Sequence, residues 1–202
     1  MSAVPITMIV PFFVAVFRLD RLPRYAVPII WLLVLSGVTQ LTITFLAEST
    51  RNNMPFFHVY TPIELLLLLW FFNRLLDSAA ATRYLAAVGA AFLGFAVLNT
   101  LYLQDLYRFN SYARSIEAIV VIALCLVYFG RQLRTDGLSF KEAGLWFVTG
   151  LFVYFSSSFT VFVVSNLSLA LDKYFDWIMW NVHATIVLIM YVLYTVGFVR
   201  CR

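Results

Sequence analysis

Seven apolar stretches follow one another in this chain with only short connections between them, and that pattern constrains the fold more than any other feature. A helix that crosses the hydrocarbon of a bilayer needs roughly 20 mostly apolar residues. The stretches lie at about 3–17, 24–47, 54–76, 83–103, 112–133, 141–166 and 174–199. The first is short and holds Pro5 and Pro11, yet its core from Ile9 to Phe17 carries no charge. Only 12% of the residues are charged and the mean hydropathy is +0.90. That is half the charge of a soluble domain, too little to cover a water-facing exterior. The expected fold is an all-α integral membrane protein, a seven-transmembrane-helix bundle forming one domain over 1–202. A cell membrane, the inner one where there are two, is the expected location, and the lipid bilayer its first partner.

The same composition excludes a disordered chain, a disulfide-stapled module and a nucleic-acid binder, because the net charge of +4 comes from basic residues dispersed between apolar runs. Cys125 falls mid-span and Cys201 at the C-terminal end, so no disulfide is expected. Orientation follows from the basic residues in alternate connections, since the cytoplasmic side retains the positive excess. Arg18, Arg21, Arg24, Arg74, Arg83, Arg131, Arg134, Lys141, Arg200 and Arg202 fall on one side, against Arg51, Arg108, Arg114 and Lys173 on the other. That split predicts an outside N-terminus and a cytoplasmic C-terminus. It also puts the glycosylation pattern Asn166-Leu167-Ser168 in an outer loop.

Polar groups inside the spans carry the functional signal, because an ionisable side chain at the bilayer centre costs roughly 2.5–3.5 kcal/mol on insertion scales unless paired or hydrated. Glu64 lies about 15 Å into the third helix, counting 1.5 Å per residue from Met54. Such an acid needs a proton or a partner inside the bundle. His58 stands one and a half turns nearer the outside, and Pro62 predicts a kink between them. On the seventh helix Asp176, Trp180 and His183 share a face, with Asn181 at the same depth. Arg114 and Glu117 are three apart on the fifth helix and can pair there or reach other helices. Gln40, Asn99 and Ser156 add hydrogen-bonding groups from the second, fourth and sixth helices.

All of these fall in the outer half, which predicts a polar pocket opening outward. The candidate ligand-binding residues are Gln40, His58, Glu64, Asn99, Glu117, Ser156, Trp180, Asn181 and His183. Each also has a structural reading, as hydrogen-bonding glue between helices. On the fourth helix Ala86, Ala90 and Gly94 recur every four residues and predict a packing seam.

The residues leave three functions open. The first is a receptor-like sensory or regulatory protein that binds a small molecule from the outer side and signals through a membrane or cytoplasmic partner protein, with no cofactor expected. Shifts in helix packing, with the Pro62 kink as the bistable element, would carry the signal. The second is a small-solute transporter. Helices one to three and five to seven suggest a pseudo-repeat, since Trp31 and Gly37 parallel Trp146 and Gly150. This 3+1+3 layout resembles that of the small sugar and vitamin transporters of the SWEET and PnuC type. The Pro-Gln pair of the first group is not reproduced, since Phe12 follows Pro11. The third is an outward-facing metal-dependent hydrolase, in which His58, Glu64 and His183 would hold zinc with an open position for water. The helix count resembles that of the seven-helix alkaline ceramidases, but their His-x-x-x-His pair on the last helix is broken here by Val187, four residues after His183.

Overall fold

The computed structural model describes residues 4–48, 52–135, 137–171 and 173–201, without the side chains of 4–6, 47–48, 164–171, 173 and 175–176. The elements among them are all helical: α1 (Val4–Val16), α2 (Val27–Glu48), α3 (Met54–Leu76), α4 (Ala79–Leu98), α5 (Ser111–Thr135), α6 (Ala143–Leu171) and α7 (Lys173–Arg200). A 3-10 turn occupies Leu19–Arg21 and a π turn Asn99–Leu103. Six of the helices are long and apolar enough to cross a membrane, and the apolar part of α1, Thr7–Val16, is the short exception. The chain is a multi-pass helical membrane protein.

Helix ends follow local chemistry. Pro55 opens α3 in its first turn, where the missing N–H costs nothing, and Asp77 closes it at φ 42 with its N–H returning to the Asn73 carbonyl. The helix runs unbroken past Pro62. α6 continues to Leu171, so the Asn166 pattern expected in a loop lies on helical backbone. Its side chain, like that of Asp176, is outside the described residues.

Helix packing makes a closed ring. α1 packs on α2, α2 on α3, α3 on α5, α5 on α6, α6 on α7, and α7 back on α1, while α4 lies outside the ring against α3. The two ends of the ring are chemically distinct. At the basic end, Arg18 donates to the Val199 carbonyl at 2.5 Å and Arg131 donates to the Leu76 carbonyl, tying the C-terminal turns of α1 and α5 to those of α7 and α3. The far end carries the α2–α3, α4–α5 and α6–α7 connections. Between them, Phe71, Phe147, Tyr194 and Phe198 form a fully buried aromatic layer, with the Phe147 ring 4.8 Å from Phe198 and 5.9 Å from Tyr194. Outside, the bundle is greasy: Leu41 and Phe45 of α2 and Val192 of α7 are exposed, as a lipid-facing wall requires.

The packing seam of α4 is not the one its small residues suggest. Leu85, Gly89, Phe92 and Ala96 face inward, with Gly89 against Leu66 and Leu69 of α3. Ala86, Ala90 and Gly94 are exposed, and a Cβ built on Gly94 meets nothing within 4 Å.

Candidate functional site

A cavity of about 620 Å³ runs inside the ring from the far end down to Tyr194 of the aromatic layer, and every ring helix contributes to its wall. α1 supplies Met8, α2 Ser36, Thr39 and Gln40, and α3 Phe57, Tyr60 and Glu64. α5 adds Arg114, α6 Tyr154, and α7 a ladder from Trp177 through Trp180, His183 and Tyr191 to Tyr194. The volume matches that of ordinary small-molecule sites, as does an aromatic lining with few polar groups.

Arg114 is the centre of the polar wall. Its side chain is buried, its Nη1 donates to Glu64 Oε2 and, at 2.7 Å, to Glu117 Oε2, and its Nη2 donates to the Tyr154 hydroxyl at 3.0 Å. One guanidinium thus joins α3, α5 and α6. The Tyr60 hydroxyl donates to the other oxygen of Glu64 at 3.0 Å and lies 3.2 Å from Ser36 Oγ, bringing in α2. The guanidinium also lies over two rings, 4.5 Å from the Phe162 centroid and 5.6 Å from that of Tyr60. Such contacts strengthen when desolvated. The cluster holds two carboxyl groups against one guanidinium. Glu117 Oε1 and Arg114 Nε find no hydrogen-bond partner among the described residues.

His183 forms the second polar point. Its Nδ1 lies 3.0 Å from Ser158 Oγ of α6, and its ring is boxed by Tyr154, Phe162 and Trp180, each 5.6–5.7 Å away between centroids. The Trp180 and His183 rings meet at 89°, edge to face. Deeper still, the Tyr194 hydroxyl is buried without a partner among the described residues.

Of the residues expected at the site, Gln40, Glu64, Trp180 and His183 line the cavity, and Glu117 lies directly behind Arg114. The others point elsewhere. His58 faces the α4–α5 connection: its Nε2 lies 3.2 Å from the Arg108 carbonyl, which needs an N–H there, and its Nδ1 lies 3.1 Å from the hydroxyl of Thr100, whose own proton goes to the Ala96 carbonyl at 3.0 Å. Asn99 is fully buried and donates to Asn110 Oδ1 at 3.0 Å, and Asn110 in turn reaches the Phe57 carbonyl. Together these groups strap the start of α5 to α3, which positions Arg114. Asn181 donates to the Trp177 carbonyl on its own helix, and Ser156 is exposed.

His58, Glu64 and His183 do not come together as one group among the described residues. No three His, Cys, Asp or Glu side chains gather as a metal-binding group among the described residues. The sequence understates Arg114 and passes over Tyr60, and of the serine run on the sixth helix it singles out Ser156 where Ser158 meets His183. The first two had a legible signal in their spacings, Tyr60 four before Glu64 and Arg114 three before Glu117.

A second cavity, of about 440 Å³, opens at the basic end between the termini of α3, α5, α6 and α7. Tyr25, Tyr128, Arg131, Lys141 and Arg200 line it, and it shares no residue with the first. The aromatic layer separates the two. No protein-family model matches the chain, and no curated protein or solved structure matches it either.

Proposed function

We propose that this chain is a receptor-like membrane protein that binds a small molecule in the larger cavity and passes the event to a partner protein at the basic end. One observation carries the reading: a buried cluster, Arg114 with Glu64, Glu117 and Tyr154, stands at a cavity to which all six ring helices contribute, and all of it but Glu117 lines that cavity. Buried ion pairs are poor sources of stability, because desolvation offsets most of their attraction. A cluster of this kind between three helices is better suited to hold one packing against another. A ligand that hydrogen-bonds to Tyr60, Gln40 or His183 in one packing and not in another shifts the population by its differential affinity alone. The excess of Lys and Arg at the basic end supports a reading in which that end faces the cytoplasm and the cavity faces the outside of a cell membrane.

Thermal unfolding of the purified protein against a panel of small molecules tests this. A true ligand at about 100 times its Kd stabilises by roughly 2.7 kcal/mol, the effect disappears in Gln40→Leu and His183→Phe, and the same compound is not accumulated by sealed proteoliposomes.

Transport is the second reading, favoured by the cavity at the opposite end. The ring also supports the 3+1+3 pseudo-repeat. Exchanging α1–α3 with α5–α7 maps the α3–α5 contact onto the α7–α1 contact and leaves α4 outside as the linker. Uptake of the stabilising compound would transfer the conclusion to this reading.

A further inference from the structure

We propose that the cavity at the basic end is a second binding site, one that takes the phosphate group of a lipid headgroup or of a soluble phosphate ester. This cavity shares no residue with the larger one, so the proposal stands apart from the ligand reading above.

The charge of the ligand follows from the side chains that converge there. Arg131 comes from α5, Lys141 from the α5–α6 connection and Arg200 from the last turn of α7, and all three line one space of about 440 Å³. Glu142 is the one acid among the described residues of the lining, and it accepts from Gln132 at 2.6 Å. Two positive charges are in excess. Arg131 donates to the Leu76 carbonyl, which fixes its side chain between α5 and α3. Lys141 and Arg200 are exposed and enter no ion pair among the described residues.

The neighbouring groups suit an oxyanion. Tyr128 accepts from Gln132 Nε2 at 3.0 Å and so keeps its own proton to donate. Ala143 and Gly144, the first two residues of α6, also border the cavity, and the start of a helix favours negative charge. The carbonyl ends of α3 and α7 would oppose an anion, but Leu76 accepts from Arg131 and Val199 from Arg18. Their negative ends are covered by the protein's own cations.

Depth favours the lipid as the source. The spanning helices α3, α5, α6 and α7 each have an end at this cavity, so it lies where headgroups stand, at the edge of the hydrocarbon. Basic pockets between spanning helices bind phosphate headgroups in other membrane proteins. Leu75 and Leu76 supply an apolar margin for the glyceride.

The test is thermal unfolding of the full-length protein in a nonionic detergent, with dioctanoyl phosphatidic acid, dioctanoylglycerol and glycerol 3-phosphate as probes. Phosphatidic acid is expected to raise the unfolding temperature in a saturable way, and dioctanoylglycerol, which lacks the phosphate, is expected not to. Lys141→Gln and Arg200→Gln should each weaken the apparent affinity about fivefold, the worth of one basic side chain near an anionic headgroup. Lys141→Arg keeps the charge and should bind as the wild type does. Arg134→Gln removes an exposed base at the same end that does not line the cavity, and should change the affinity by less than about twofold. Without probe, all four variants should unfold near the wild-type temperature, because the replaced side chains are exposed.

An equal, saturable rise with glycerol 3-phosphate, lost in the same two variants, supports the phosphate site and assigns it to a soluble ester. A rise with phosphatidic acid alone assigns it to the lipid. No rise with either phosphate probe overturns the proposal. So does a rise that Lys141→Gln and Arg200→Gln reduce no more than Arg134→Gln does, since the anion is then drawn by surface charge at large.

Discussion

Ser158 Oγ of α6 and His183 Nδ1 of α7 lie 3.0 Å apart in a position where Ser158 is fully buried and Ser156, two residues earlier, is exposed. The hydroxyl fixes which ring nitrogen faces α6 and leaves the other toward the cavity. Ser158→Ala is therefore expected to cost about 1–3 kcal/mol, the penalty for stranding a buried polar group, whereas Ser156→Ala changes stability by less than about 0.5 kcal/mol. Unfolding of the two variants in the same detergent checks the contrast.

A sharper asymmetry is expected around Arg114. Arg114→Ala leaves Glu64 and Glu117 buried near each other without their shared cation, and removing one partner of a buried pair costs about 3–5 kcal/mol. Replacing the whole cluster, as Glu64→Gln, Arg114→Met and Glu117→Gln together, removes the stranded charges and is expected to unfold less readily than Arg114→Ala alone. Denaturant or thermal unfolding of the three proteins decides it. A triple variant no more stable than the single one contradicts the account.

These residues also mark how far the sequence could be read. The helices were legible because lipid demands a minimum apolar length, and α3 begins and ends at Met54 and Leu76 where the apolar run does. Glu64 was legible because an acid in that run has few places to go. Which way each helix turns was not. In a soluble bundle the polar face points out, but here both lipid and core are apolar, so the pattern along α6 does not separate Ser156 from Ser158. For the same reason His58 and His183 look alike in sequence, although one straps α3 to the α4–α5 connection and the other lines the cavity. The stripe of Ala86, Ala90 and Gly94 misled by the same route: its spacing is right for a seam, but the seam lies one position round the helix, at Leu85 and Gly89.

Gly197 is expected to be intolerant of even a methyl group. A Cβ there would meet the Phe147 ring at 2.7–3.0 Å, and Phe147 is itself enclosed by Phe71, Tyr194 and Phe198. Overpacking of that kind costs about 1–3 kcal/mol. Gly94→Ala, with nothing within 4 Å, is the matched control and should unfold no earlier than the wild type. Their unfolding temperatures, compared in one detergent, test whether the aromatic layer between the cavities is as tightly filled as its geometry implies.

At the basic end, the pH dependence of stability is expected to carry the signature of Cys201. Burial pushes this thiol up to about 11, against the opposing pull of the nearby Arg18. An unfolded cysteine ionises near 8.5. Because the folded value is the higher one, the thiol's contribution is fully present below about pH 8.5 and is lost as pH climbs toward about 11, since over that window the unfolded chain sheds its proton first. Tyr25, raised by burial and then by Cys201 to about 12, acts with the same sign from its ordinary value near 10 upward. The wild type should therefore lose stability between pH 8.5 and 11 more steeply than Cys201→Ala, and the two curves should run parallel at lower pH. Alkylation gives an independent reading: Cys201 in the folded protein should react with iodoacetamide far more slowly at pH 8 than a free thiol does, with its rate still rising at pH 10. Parallel stability curves across the whole range, together with a reaction rate that levels off near pH 9, would mean that the thiol stands in water and that the C-terminal turn of α7 does not close over it.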